Sequence, residues 1–321
     1  MDFSQPILMD NRNLRKDIPD IDSFFSQVLR EMEQLPRVDN VVADPEIVTQ
    51  VPCPVCGEEH GDQLFVRAGF LIVQCPVCTH VYVKNRMKEE YLQGLYAGSV
   101  SEQTYRRIRA SEFHKRYWHA VYAKYLDYFA SLGCANKNVI DVGCGAGNFL
   151  DTCREITDYT LHGLDFCEDS FDFIVSVTGR DNYYFRQPIE NVDFGPKRFG
   201  LITMWGVLEH LVSPGSVLKK CGEILDEGGR VLVMVPNLFS RAFKILGIST
   251  PTIYPRAHLH YYTQASMERL CRDAGLAIDA FFQELPVIDL MHPFIYYDKA
   301  LVQDIVAKNE CYYHAYLLRR A

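Results

Sequence analysis

Four residues of strand character, Val139-Ile140-Asp141-Val142, run directly into Gly143-Cys144-Gly145-Ala146-Gly147-Asn148, and a helical pattern follows to about Glu155. That order commits the chain to a crossover unit. Glycines there let the backbone turn sharply and approach a ligand more closely than side chains would permit. The alternation then repeats, with strands expected at 161–164, 183–185, 201–204 and 230–235. Before the last of these, Ser213 and Pro214 open a helix as N-cap and first-turn residue. Its apolar face is Val217, Leu218, Cys221, Ile224 and Leu225, and Gly228-Gly229 is expected to end it. A further helix follows Thr263 and stops at Gly275. Strands at 277–283 and 311–318, with a helix between them, complete the set. Alternation of this kind means a parallel sheet covered on both faces. The expected fold class is α/β: a doubly wound, Rossmann-like, mostly parallel seven-stranded sheet whose last strand is antiparallel at the edge.

The amino-terminal part is of another kind. Cys53-Pro-Val-Cys56 and Cys75-Pro-Val-Cys78 are identical units separated by 18 residues. Paired CxxC knuckles at this distance suit tetrahedral Zn²⁺, four thiolates closing the site in a structural role. Residues 51–84 are therefore expected to form a small zinc ribbon, preceded by a peripheral extension (1–50) and followed by a helical linker or cap (85–135). In that linker Phe113, Tyr117, Val121, Tyr125, Tyr128 and Phe129 recur at helical spacing and read as a core-facing stripe. Arg106, Arg107, Arg109, Lys115 and Arg116 read first as a solvated face. Arg109 and Arg116 are the candidates should the cluster hold a carboxylate or an anionic substrate.

Bulk properties narrow the function. The formal net charge of −8 argues against broad nucleic-acid binding, which needs a basic surface. No apolar run reaches the ~20 residues of a membrane span, and residues 1–16 lack the apolar stretch of a secretory signal. Of 11 cysteines, seven lie outside the CxxC pairs, scattered and odd in number, unlike a disulfide framework. The chain reads as cytoplasmic.

Two residues qualify what the glycine turn would hold. Asn148 stands where the dinucleotide fingerprint wants a small residue, and Asp141, at the strand end, would face a cation rather than a pyrophosphate. Asp165, ending the second strand, is placed for ribose hydroxyls. With VIDVGCGAGNFL (139–150), LHGLDF (161–166), FGLITMWGVLEHLVSPGSVLKKCGEILDEGGRVLVMVPN (199–237) and HLHYYT (258–263), the chain resembles the class I S-adenosylmethionine-dependent methyltransferases over roughly 138–321. The preceding CPVC pairs resemble a bacterial branch acting on sugars, lipids or specialised metabolites.

The resemblance implies S-adenosyl-L-methionine as cofactor and S-adenosyl-L-homocysteine as product. It assigns the turn 143–148, with Gly143, Cys144, Gly145, Gly147 and Asn148, to the methionine portion, and Asp141 to its amino group. Asp165 would take the ribose, Phe166 and the Ile189 N–H the adenine, and Met204 and Trp205 the surroundings of the sulfonium. Pro188 stands where relatives carry an acid, and Phe199-Gly200 where they carry Phe-Asp.

Methyl transfer from a sulfonium is an in-line displacement needing a nucleophile about 3 Å from the methyl carbon and a dry site. A histidine is the usual proton acceptor near neutral pH. His258 leads, then His210 and His260. The stretch Tyr254-Pro-Arg-Ala-His258 resembles one in sugar methyltransferases where the tyrosine and histidine approach the acceptor, an acid replacing Ala257. The segment 238–262 is expected to cover the substrate. The expected acceptor is a small polar metabolite, sugar-like or anionic, methylated on a hydroxyl or adjacent carbon, with no membrane and no nucleic-acid partner. Competing readings are an RNA methyltransferase gripping RNA with its ribbon, a non-catalytic binding protein and an NAD(P)-linked oxidoreductase.

Overall fold

The computed structural model describes residues 3–8, 19, 21–91, 99–166, 168–285 and 297–321. Its amino-terminal part begins with α1 (Ile21–Glu33) and continues into short strands. β1 (Val48–Gln50) pairs with β5 (Asn85–Met87), antiparallel, where a helix start was expected. β2 (Asp62–Arg67) and β3 (Phe70–Gln74) form a hairpin whose two turn residues, Ala68 and Gly69, both have positive φ. That is the two-residue turn that matches strand twist. β4 (Val81–Val83) pairs with β3. Two helices, α2 (Val100–Ala110) and α3 (Glu112–Ser131), follow, the second capped by the Ser111 side chain accepting from the His114 N–H at 3.3 Å.

The large sheet contains β6 (Asn138–Val142), β7 (Thr160–Asp165), β8 (Tyr183–Phe185), β9 (Phe199–Trp205) and β10 (Leu225–Pro236). Between them run α4 (Asn148–Ile156), α5 (Phe171–Thr178) and α6 (Pro214–Ile224). Then come α7 (Arg241–Leu246), β11 (His260–Tyr261), α8 (Gln264–Asp273), β12 (Leu276–Glu284), α9 (Lys299–Ala307) and β13 (Tyr313–Arg320). Strand order is β12-β13-β10-β9-β6-β7-β8. The five strands from β6 to β10 are mutually parallel, and β13 is antiparallel to both of its neighbours. Strand residues alternate between two cores. Val139, Leu232 and Met234 face α3–α5, whereas Ile140, Val231 and Val233 face α6 and α8.

Seven strands and an antiparallel last strand agree with the sequence reading, but that strand is not at the edge. β13 inserts between β10 and β12, so β12 is the edge. The helix after Ser213 ends at Ile224, short of Gly228-Gly229. Those glycines lie instead at the irregular start of β10, where its register with β9 shifts between Leu225 and Arg230. Ser213 flanks the helix, but its side chain makes no capping hydrogen bond. Thr263 does cap, in a reciprocal box with Ser266.

The segment 238–262 departs furthest from expectation. Its end, β11, pairs antiparallel with β4 and becomes the outer strand of a four-stranded sheet ordered β11-β4-β3-β2. The cysteine-bearing module is thus completed by a strand from the carboxyl-terminal half. Nor is α1 peripheral. Its Glu31 holds the fully buried Arg256 guanidinium at 2.9 Å and accepts from the Ser99 and Ser101 hydroxyls. Among the described residues no helix is long and apolar enough to cross a membrane.

Candidate active site

The sheet's order reverses at β6: β7 and β8 lie on one side, β9 and β10 on the other. A crevice beyond the carboxyl ends of strands at such a point is where open α/β sheets take ligands. A cavity of about 1060 Å³ lies there. Its walls include Gly143, Gly145, Ala146, Asn148 and Asp165 from the first strand ends, Trp205 at the end of β9, and Gly206, Glu209 and His210 after it. Tyr254, Ala257 and His258 come from the covering segment, and Phe24, Phe25, Tyr105, Arg109, His114, Lys115, Arg116, Trp118 and Tyr122 from α1–α3.

The glycine turn is held by its own strands. Gly143 and Cys144 donate to the Leu164 carbonyl, and the Gly145 N–H donates to Asp165 Oδ2 at 2.6 Å. Gly145, with φ +52°, admits the Arg109 guanidinium, since a Cβ there would sit 2.6 Å from Arg109 Nη2. Gly147 serves packing instead. It has φ +78°, and a Cβ there would collide with Ile174 of α5. Neither Gly147 nor Cys144 lines the cavity, and Cys144 is buried.

Asp141 is buried at the strand end, and its Oδ1 accepts from the Thr203 hydroxyl at 2.7 Å. Desolvation pushes its carboxyl up to about 8, against the opposing pull of Thr203 and Arg109. Such a group is primed to ionise when a cation arrives. Met204 and Ile189 are packed into the core on the α6 side and do not reach the cavity, and Phe166 stands exposed past β7. Trp205 does line it, its indole stacked edge-on to Tyr122 at 4.8 Å between centroids.

On the opposite wall three groups converge. Glu209, His210 and His258 each bring a ligand-capable atom within 4.8 Å of the others. His258 Nδ1 lies 2.8 Å from the Thr252 carbonyl and His210 Nδ1 3.0 Å from that of Ala257. A carbonyl only accepts, so both Nδ1 atoms carry the proton and both Nε2 atoms expose a lone pair. Desolvation and His210 beside it push His258 down to about 3 and keep it neutral. The Tyr254 hydroxyl accepts from Arg256, and its ring lies 6.0 Å from His258. His260 is elsewhere. Its Nε2 donates to the Leu211 carbonyl at 2.7 Å and its Nδ1 faces His80 at 3.1 Å, outside the cavity.

The four cysteines form a second constellation. Cys53 and Cys78 Sγ are 3.5 Å apart, Cys56 and Cys75 Sγ 3.4 Å, and all four lie within 4.8 Å. Sulfurs around a tetrahedral ion with bonds of about 2.3 Å are separated by about 3.8 Å, whereas a disulfide is near 2 Å. Two matching knuckles hold them: the Gly57 and Thr79 N–H groups donate to the Cys53 and Cys75 carbonyls, and the Cys53 and Cys75 N–H groups to Glu58 and His80. The donor set and spacing fit a thiophilic cation of zinc type.

The sequence reading overlooked Phe24, Phe25 and Tyr105, because amphipathic helices far from the glycine turn carry no local sign of what they cover. It also passed over Trp118 and Tyr122, each one residue beyond a member of the core stripe (Tyr117 and Val121), and both meet the cavity. Arg109, Lys115 and Arg116 of the basic cluster line it too.

A family model described as a methyltransferase domain matches residues 114–280. The ubiquinone biosynthesis O-methyltransferase of Aromatoleum aromaticum is 25 % identical over 186 residues, covering 52 % of this chain and 79 % of that one. A tRNA U34 carboxymethyltransferase of Nautilia profundicola is 32 % identical over 101 residues, 30 % of this chain and 34 % of its own. Among solved structures, the Burkholderia thailandensis 1,6-didemethyltoxoflavin-N1-methyltransferase aligns with a TM-score of 0.49 and 17 % identity, covering 81 % of this chain and 99 % of that one.

Proposed function

From the premise that the chain belongs to the methyltransferase-domain family and is an S-adenosylmethionine-dependent methyltransferase, we propose that it methylates a hydroxyl, or the carbon beside one, on a small ring-bearing metabolite. The observation that carries this reading is the pair of neutral imidazoles, His210 and His258, facing the glycine turn across one cavity.

In this reading the cofactor's methionine end lies over Gly143 and Gly145. Arg109 takes its carboxylate, Asp141 its amino group directly or through water, and Asp165 its ribose. S-adenosylmethionine supplies an electrophilic methyl group. The chain supplies position and dryness: Trp205 and Tyr122 exclude water near the sulfonium, and Phe24, Phe25 and Trp118 hold the acceptor ring. His258 Nε2 accepts the acceptor's proton as its oxygen or carbon attacks in line, and Nδ1 stays tied to Thr252. In the cysteine module Cys53, Cys56, Cys75 and Cys78 would hold structural Zn²⁺, and its bearing on the site runs through β4 and β11. The proposed domains are the extension 1–50, the ribbon 51–84, the cap 85–135 and the catalytic domain 136–321, with 238–262 over the substrate.

The aromatic lining supports a sugar-like or aromatic ring. The O-methyltransferase name of the Aromatoleum relative favours oxygen as the acceptor atom. The Nautilia relative's name favours a second reading, a tRNA acceptor. Against it, only Arg67 is basic between the cysteine pairs, where Glu58, Glu59 and Asp62 are acidic. The test is incubation of the full chain with methyl-labelled donor and cell extract. Label in a small molecule upholds the proposal. Label in RNA, with tRNA binding that weakens steeply with salt, overturns it in favour of the second reading.

A further inference from the structure

We propose that Glu209, His210 and His258 form a binding site for one divalent transition-metal cation, a site distinct from the four cysteines. These three groups are electrostatically mismatched. Both imidazoles are anchored through Nδ1 to backbone carbonyls, so both present Nε2 lone pairs to the same space. The third member, Glu209, is 2 % exposed, and its Oε2 has no hydrogen-bond partner. Its Oε1 lies 3.9 Å from His210 Nε2, beyond hydrogen-bond reach, so a proton on the carboxyl does not relieve the arrangement. Three electron-pair donors converge with no donor hydrogen among them, and a buried carboxylate oxygen is rarely left in that state. A cation satisfies all three at once.

The surroundings have the form of a metal site. A ligating histidine characteristically donates its other ring N–H to a carbonyl or carboxylate, which fixes tautomer and ring orientation; both histidines do so here. The rings are edge-to-face at 4.8 Å between centroids, so the two Nε2 atoms can approach one ion from different directions. Metal–ligand bonds of about 2.0–2.2 Å place ligand atoms about 3–3.5 Å apart, and the three groups already bring theirs within 4.8 Å of one another.

Two neutral nitrogens and one carboxylate suit Mn²⁺, Fe²⁺, Co²⁺ or Zn²⁺, and three protein ligands leave coordination positions open toward the cavity. An oxygen of the bound acceptor can occupy one of them. The inference builds on the methyl-transfer reading and changes one role in it: with the cation bound, His258 Nε2 is a ligand, and an acceptor hydroxyl coordinated beside it would lose its proton more readily, whereas the metal-free site leaves Nε2 to take that proton directly. It also gives Glu209 a task that a histidine base alone leaves undefined.

The experiment uses the full chain and Mn²⁺ alone, because Mn²⁺ discriminates against the cysteine thiolates. Mn²⁺ is titrated with electron paramagnetic resonance counting the free ion, in the absence of methyl donor. One equivalent bound is expected, weakened at least tenfold in Glu209→Gln and in His258→Asn. Circular dichroism identifies any variant that fails to fold, and in that case His210→Asn replaces it. Absence of Mn²⁺ binding to the wild type, or binding that these pocket variants leave intact, overturns the site. Calorimetric binding of S-adenosylmethionine to the same samples is independent of the cation, so loss of the metal proposal and loss of the methyltransferase reading are told apart.

Discussion

Asp141 carries the residue-scale consequence that can be measured most directly. Its carboxyl is held up to about 8 by desolvation and by Asp165, with Thr203 and Arg109 pulling the other way. At pH 7 it is mostly protonated in the free protein. A cationic amino group placed beside it favours the ionised form, so binding S-adenosylmethionine near pH 7 should release close to one proton. Above about pH 9 the carboxyl is already ionised and the release should vanish. Calorimetry in buffers of different ionisation enthalpy reads this, and Asp141→Asn should abolish the pH-dependent release. Asp165 belongs to the same set, since its Oδ2 already orders the turn through Gly145. Asp165→Ala should weaken cofactor binding about 100-fold, as loss of charge-assisted hydrogen bonds does. His258→Ala should lower kcat about 10²–10⁴-fold, the usual contribution of a positioned base, with cofactor affinity within twofold of wild type. An unchanged kcat would remove His258 from the chemistry.

Among the elements, α3 does the most joining. Tyr122 reaches the cavity, Val121 and Phe129 the core, and Lys124, 2 % exposed, meets Glu284 of β12 at 2.5 Å. The same carboxylate accepts from the Tyr125 hydroxyl and the Ile7 N–H, and Lys124 also donates to the Gln5 carbonyl. One buried ion pair therefore ties helix, edge strand and the chain near residue 5. Removing one partner of such a pair strands the other charge and typically costs about 3–5 kcal/mol. Lys124→Met should lower stability by that order in denaturant titration. The double variant Lys124→Met with Glu284→Gln should recover much of the loss, because no unpaired charge stays behind. The pairing was invisible in the sequence: Lys124 sits on the polar-looking side of a helical pattern, and nothing local marks a partner 160 positions away.

At the scale of the molecule, the cysteine module and the cavity wall that carries His258 are one structure. β11 begins two residues after His258 and completes the sheet of β2–β4, the Leu259 N–H donates to the Glu209 carbonyl, and the Leu259 carbonyl accepts from the Val83 N–H. His80, two residues past Cys78, faces His260 in the buried seam. Disturbing the cysteines should therefore loosen the His258 side of the cavity before the glycine-turn side. Treatment with a strong chelator, or Cys75→Ser, should speed hydrogen exchange across residues 256–263 while leaving S-adenosylmethionine affinity within about threefold of wild type. Uniform exchange behaviour in 256–263 would show that the module and the wall are not mechanically coupled.

Local chemistry settled much of this protein from the sequence alone. The period of the apolar residues placed the parallel strands, glycines after β6 marked the turn that lines the cavity, and doubled CPVC units announced the four-sulfur cluster, because each of these depends on neighbours within a few residues. Long-range pairing was decided only by the tertiary structure. β13 entered between β10 and β12 because antiparallel partners are chosen by sheet geometry. His260 was turned out of the cavity because β11 joined β4, and Phe24 and Phe25 reached the site because α1 folds over it. Burial, which sets the protonation of Asp141 and Glu209, is a property of everything packed around a residue and cannot be read from the residues beside it.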